Sequence, residues 1–197
     1  GSDVHRYWID WFRTLPIFLD LGGIRVVHAW WHQPHIDTLH RHNMLDGFLN
    51  DEQIRWALGK HGEHKHESFA ALEGLCKGLE IRLPNGLTFT DHAGYVRKDV
   101  RTRWWLHGAQ FLHEIAFTEG VHSPQLHGHP IPDSFNPEPI SGAPVFIGHY
   151  WMQGTPQILS PKVACLDYSA AANGPLVAYR WHGESELHNG GFVEANV

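Results

Sequence analysis

The sequence predicts an α/β (α+β) protein, a mixed sheet with a few helices. Three observations carry that reading. Short apolar, partly β-branched runs recur at 17–21, 24–30, 145–149, 163–168 and 176–181, each the length of a strand. Between the first and last of them lie stretches with apolar residues at helical spacing. The chain is 197 residues long, with 42% hydrophobic and 18% charged residues, enough to bury a core and incompatible with disorder over its whole length.

Val4, Tyr7, Trp8, Trp11 and Phe12 share one helical face, so an amphipathic helix opens the chain and Pro16 ends it. The runs 17–21 and 24–30 are separated only by Gly22-Gly23, a hairpin signal because glycine accepts the positive φ of a tight turn. Both runs are nearly continuous rather than alternating, which predicts strands covered on both faces. Asn50 and Gln53 stand at capping-box spacing before 54–58. Phe69, Leu72, Leu75 and Cys76 form a second helical face that stops at Gly78. Asn85-Gly86 marks a turn between strands at 80–83 and 87–90, and 97–105 reads as another strand. From 106 to 144 the periodicity fades among six prolines, predicting a long irregular excursion that caps a site.

Composition excludes several functions. A net charge of -6 with 15 Lys and Arg gives no basic stripe for duplex nucleic acid. No apolar run approaches the length of a membrane-spanning helix. Two cysteines, Cys76 and Cys165, are too few for a disulfide framework and fit a reducing, cytoplasmic setting. Gly1-Ser2 reads as the scar of a cleaved expression tag with no signal peptide after it, leaving residues 3–197 as one unit. That unit opens on a helix and reads as the later part of something longer.

The excess of 18 histidines needs an explanation. His28 closes the run Ile24-Arg25-Val26-Val27, and His149 closes Val145-Phe146-Ile147-Gly148. Strand ends are rigid yet open onto a crevice, and neutral imidazole is a good donor to Mn, Fe, Ni or Zn. Each is also compatible with a hydrogen-bonded structural histidine. His32 is close enough in sequence to approach the same crevice. His61, His64 and His66, and His127 with His129, sit in polar, glycine-containing loops that suit solvated positions or a histidine-rich metal buffer. Neither cysteine has a partner at zinc spacing.

Several segments together resemble the calcineurin-like metallophosphoesterase family, in particular its bacterial phosphatase and dinucleoside-polyphosphatase-like branch. They are 15–31, ending in Val26-Val27-His28-Ala29-Trp30-Trp31, then 75–78, 101–105, Phe146-Ile147-Gly148-His149-Tyr150-Trp151, Leu166-Asp167-Tyr168-Ser169 and 176–181. They cover almost the whole chain in family order. The resemblance implies a β-sandwich flanked by helices and a site for two divalent transition metals, manganese first and Fe, Ni or Zn as alternatives. By position, His28 and His149 would be ligands of the second metal. Lys77 and Arg103, cations beside family-like segments, would clamp the phosphate of a phosphorylated small molecule, a dinucleoside polyphosphate or a phosphoprotein. Asp167 and Tyr168 read as structural. The family's early motifs, Asp-x-His, Gly-Asp and Asn-His-Glu, are missing. Asp3-Val4-His5 has the letters of the first but begins a helical pattern, and Trp151 stands where some branches carry a further histidine. The chain therefore reads as a C-terminal portion of such an enzyme, supplying second-metal ligands and inactive alone. A non-catalytic metal- or partner-binding module is the other reading.

Overall fold

The computed structural model describes residues 1–42, 50–57, 67–118 and 120–195. Its centre is a five-stranded mixed sheet in the order β1 (Phe18–Asp20), β2 (Arg25–Val27), β8 (Val145–Ile147), β10 (Val163–Cys165), β9 (Ile158–Ser160). β2, β8 and β10 run parallel, and β1 and β9 are antiparallel edges. The β1–β2 hairpin forms as the Gly-Gly pair predicts, with Gly22 at φ +78° and Phe18 opposite Val27. Coverage on both faces does not hold for this hairpin. β1 is an edge strand with Leu19 and Asp20 exposed, and Asp20 meets the Arg25 side chain at 3.1 Å.

Period-two alternation sorts the central strands. Val145, Ile147, Val163 and Cys165 face a layer of two helices, α2 (Gln33–Arg41) and α4 (Glu67–Lys77), together with Trp30, Trp31, Trp104 and Trp105. Phe146 and Ala164 face the other way, onto Leu187 and a hairpin of β11 (Leu176–Tyr179) and β12 (Phe192–Ala195). The run 176–181 is thus a strand, but one outside the main sheet. α3 (Asp51–Ala57) begins with the reciprocal Asn50–Gln53 capping bonds, each 2.9 Å. Leu58, the last residue of the 54–58 run read after that cap, and His61, His64 and His66 lie outside the described residues.

A smaller sheet packs beside this one, in the order β3 (Glu80–Arg82), β6 (Asp99–Thr102), β7 (Ala116–Phe117), over its own core of Ile81, Val100, Leu112, Ile115 and Leu126. The Asn85-Gly86 turn is present, both residues at positive φ. The strands it joins do not pair with each other: β3 pairs with β6, and β4 (Phe89–Thr90) pairs with β5 (Val96–Arg97). Between 106 and 144 the described chain holds one helical turn, α5 (Leu112–Ile115), the two-residue β7 and a single 3₁₀ turn. The opening helix α1 (Asp3–Phe12) starts at Ser2, whose hydroxyl accepts from the His5 amide. Its apolar stripe is not buried: Tyr7, Trp8, Trp11 and Phe12 are all exposed.

Candidate functional site

Parallel strands β2 and β8 end side by side, and the chain beyond them is tightly fixed. Gly148 donates its amide to the His28 carbonyl at 2.9 Å, and Leu166 donates to Ile147 at 2.8 Å. After His28, the Ala29 amide donates to the Leu75 carbonyl at the end of α4. The Ala29 carbonyl accepts from Trp104 Nε1 at 3.1 Å. Both peptide groups flanking Ala29, the residue after His28, are thus held by their neighbours, and the His28 ring is left at the carboxyl edge of the sheet. That edge is where open α/β sheets place ligands.

The β8 end uses strain for the same purpose. His149 sits at φ +65° and Trp151 at φ +42°. Left-handed backbone at non-glycine residues costs on the order of 1 to 3 kcal/mol each. The Tyr150 amide bonds back to the Gly148 carbonyl at 2.7 Å, closing a tight reversal. This path sends Tyr150 fully into the core, edge-on to Trp105 and Phe117, and its hydroxyl donates to the Thr102 carbonyl at 3.3 Å. His149 and Trp151 are left on the outside of the reversal, Trp151 with half its surface exposed.

As a result the His28 and His149 rings lie 5.0 Å apart, centroid to centroid, at 56°. Burial lowers the His149 pKa to about 4, helped by the nearby charges of Arg101, His28 and Lys77. His28 is lowered too, chiefly by loss of water, with Asp167 opposing the shift. Both rings are neutral at pH 7, the state in which imidazole donates to a metal. His149 Nε2 is buried and has no hydrogen-bond partner among the described residues. An orphaned imidazole nitrogen beside a second neutral imidazole fits a metal-donor role. Two donors are an incomplete set, however. Among the described residues no cluster of three or more His, Cys, Asp or Glu side chains is arranged to hold an ion.

The other predicted residues divide. Lys77 ends α4 close enough for its charge to act on His149, but its ammonium is bound to Glu73 at 2.6 Å. Arg103 is elsewhere. It lies over the Phe117 ring at 5.9 Å and lines a cavity with His113, His122 and His127 that includes neither His28 nor His149. His32 does not join the pair either. It stacks on Trp30 at 4.1 Å and lines a cavity with Arg25 and Glu138. Asp167 accepts from the Ser169 amide, and the Tyr168 hydroxyl accepts from the Gln157 amide.

Sequence reading missed Arg101. Its charge reaches both histidines, and it borders a cleft of about 550 Å³ whose other walls include Trp151, Phe117, Thr118 and Lys98. Neither His28 nor His149 lines that cleft. The 106–144 excursion contributes Phe117 and Thr118 to it, and Glu138 to Ser141 to the His32 cavity. The signal for Arg101 was its alternation with Arg103 in one predicted strand, which alone cannot say which arginine stays beside the sheet edge.

No protein-family model matches this sequence, and no curated protein or solved structure matches it.

Proposed function

We propose that this chain supplies part of the active site of a metal-dependent phosphoesterase of the calcineurin-like type. His28 and His149 are the ligands it offers to one of two divalent transition metals. The observation that carries the proposal is the pairing of two neutral imidazoles at adjacent parallel strand ends, one with a buried nitrogen lacking a partner. The metals, when bound, would supply Lewis-acid activation of water and of the phosphoryl oxygens. The protein's own part is to hold both rings neutral and oriented. Arg101, itself paired with Glu80 at 3.9 Å, replaces Arg103 as the cation placed to attract the phosphate of an ester or anhydride, with Lys77 joining it once its Glu73 contact is exchanged. A metallophosphoesterase β-sandwich is the architecture this proposal requires.

The donor count favours a chain without activity on its own. Two dications held a few ångströms apart repel strongly unless carboxylates share their charge. The described residues provide no such carboxylate between His28 and His149. The missing donors come, on this proposal, from beyond the described residues. The test is manganese-dependent hydrolysis of an aryl phosphate by the isolated chain and by its longer parent, each with and without His149→Ala. The expected result is an active parent that loses activity on substitution, and an isolated chain no faster than its variant. A parent indifferent to His149→Ala refutes the assignment.

A further inference from the structure

We infer that Arg103, His113, His122 and His127 form a second ligand site that takes a phosphate-type oxyanion. The site is separate from the His28–His149 pair and stands whether or not the phosphoesterase proposal does. It is a cavity of about 310 Å³ on the small sheet, lined also by Thr118 and Ser123.

Arg103 provides the fixed charge. Its amide donates to the Ile115 carbonyl at 2.7 Å and its Nη1 to the Glu114 carbonyl at 3.0 Å, so consecutive carbonyls at the end of α5 hold its backbone and its guanidinium. The guanidinium is half-buried, and burial lowers its pKa. No carboxylate among the described residues pairs with it. A cation partly stripped of water without a counter-charge is unfavourable, and an arriving anion relieves that cost. The adjacent acid, Glu114, is occupied elsewhere: its carboxylate accepts the amides of Gln110 and Phe111 at 2.9 and 2.7 Å.

The histidines provide the remaining donors. His113 and His127 stack at 4.2 Å and 14°, with Phe111 packed on His113 at 6.0 Å. His113 Nδ1 is buried with no hydrogen-bond partner among the described residues. The hydroxyls of Thr118 and Ser123 already donate to the Val121 carbonyl, so the guanidinium and the imidazoles are the groups left to bind a ligand.

The stacking also argues against a metal. Imidazole lone pairs lie in the ring plane, so one ion cannot meet two near-parallel, face-to-face rings along both lone pairs. A tetrahedral oxyanion suits the arrangement better. Two of its oxygens can meet the arginine fork while a third takes an imidazole N–H.

Inorganic phosphate is the probe. It is titrated into the ¹⁵N-labelled chain while the histidine ring resonances and the binding heat are followed, with zinc titrated in a parallel sample. Saturable binding that moves the His113 and His127 signals is expected. Arg103→Gln should weaken it by about tenfold or more, the loss expected for a charge-assisted fork. His127→Gln, at an exposed position that leaves the fold intact, should weaken it by several-fold, and His149→Ala should leave it unchanged. The inference is overturned if phosphate shifts only the His28 and His149 rings, if both cavity variants bind like the parent chain, or if zinc and not phosphate titrates the stacked pair.

Discussion

The amide of Gly148 donates to the carbonyl of His28 across 2.9 Å, one step past the last residue of each strand. The parallel register of β2 on β8 is thereby carried beyond the sheet, and it sets the relation between the His28 and His149 rings. Ring proximity here follows from strand pairing, which sets His28 opposite Gly148, together with the left-handed turn at His149 that follows it.

Metal binding by this chain should accordingly need both rings. Two imidazoles with water filling the other positions hold a transition metal loosely. His28→Ala or His149→Ala should each weaken nickel or zinc binding by at least about tenfold, the effect of deleting one of two donors. Calorimetric titration checks this, with the 61–66 histidines replaced in both samples. A single variant that binds as tightly as the parent chain would place the metal elsewhere.

His35 should make stability depend on pH. Its ring is wedged against Gly74, where a Cβ would come within 2.6 Å of it, and stands edge-on to Trp30. Burial lowers its pKa to about 4, with His32 adding to the shift. An unfolded chain binds this proton near pH 6.5, so between about pH 6.5 and 4 the unfolded state holds more protons. Stability is complete above that window and falls as pH drops through it, by up to about 1.4 kcal/mol per pH unit. Urea midpoints at stepped pH should show the decline, and His35→Gln should reduce its slope, the remainder coming from His149, His28 and His32, which burial also lowers. An unchanged slope in that variant would assign the dependence to other groups.

Much of this fold was legible because local chemistry decided it. Gly22-Gly23, the Asn50–Gln53 box and Gly78 each act within a few residues, and each appears as read. Pairing partners were not legible, because they depend on contacts distant in sequence. Nothing near Leu176 says that its strand pairs with Phe192–Ala195 instead of joining the central sheet. The same limit separated Arg101 from Arg103. Both stand in the one run read as a strand, but β6 ends at Thr102, and Arg103 turns to the Glu114 carbonyl while Arg101 stays beside His149. The positive φ of His149 had no sequence signal, since that conformation is imposed by burying Tyr150.

Tyr150 and Gly78 should prove coupled. Tyr150→Phe removes the bond to Thr102 while keeping the ring, and should cost about 1 to 2 kcal/mol for a buried carbonyl left unpaired. Gly78→Ala should cost more, at least about 2 kcal/mol. Gly78 sits at φ +90°, and a Cβ there would come within 2.5 Å of the Tyr150 hydroxyl. The double variant should lose less than the sum of the two single losses, because the phenylalanine leaves room for the methyl group. Strict additivity in denaturant melts would show that the contact is not limiting.

Cys165 should be inert in the folded protein. It is fully buried on β10, and burial pushes its thiol up to about 11. At pH 8 iodoacetamide should label it at least about a hundredfold more slowly than in urea, since the thiolate is the nucleophile. Mass spectrometry of the peptide containing Cys165 reads the rate. Prompt native labelling would mean that the central sheet opens readily at β10.

The hydroxyl of Tyr150 crosses from the residue beside His149 to the backbone of β6, the middle strand of the small sheet. One end of the reversal that presents His149 is therefore anchored in a different sheet from the other. Such a reversal has no independent way to melt. Amide hydrogen exchange around 148–152 should proceed only through openings that also release 100–102, so the lifetime of the histidine pair is tied to the opening of the small sheet rather than to a surface loop.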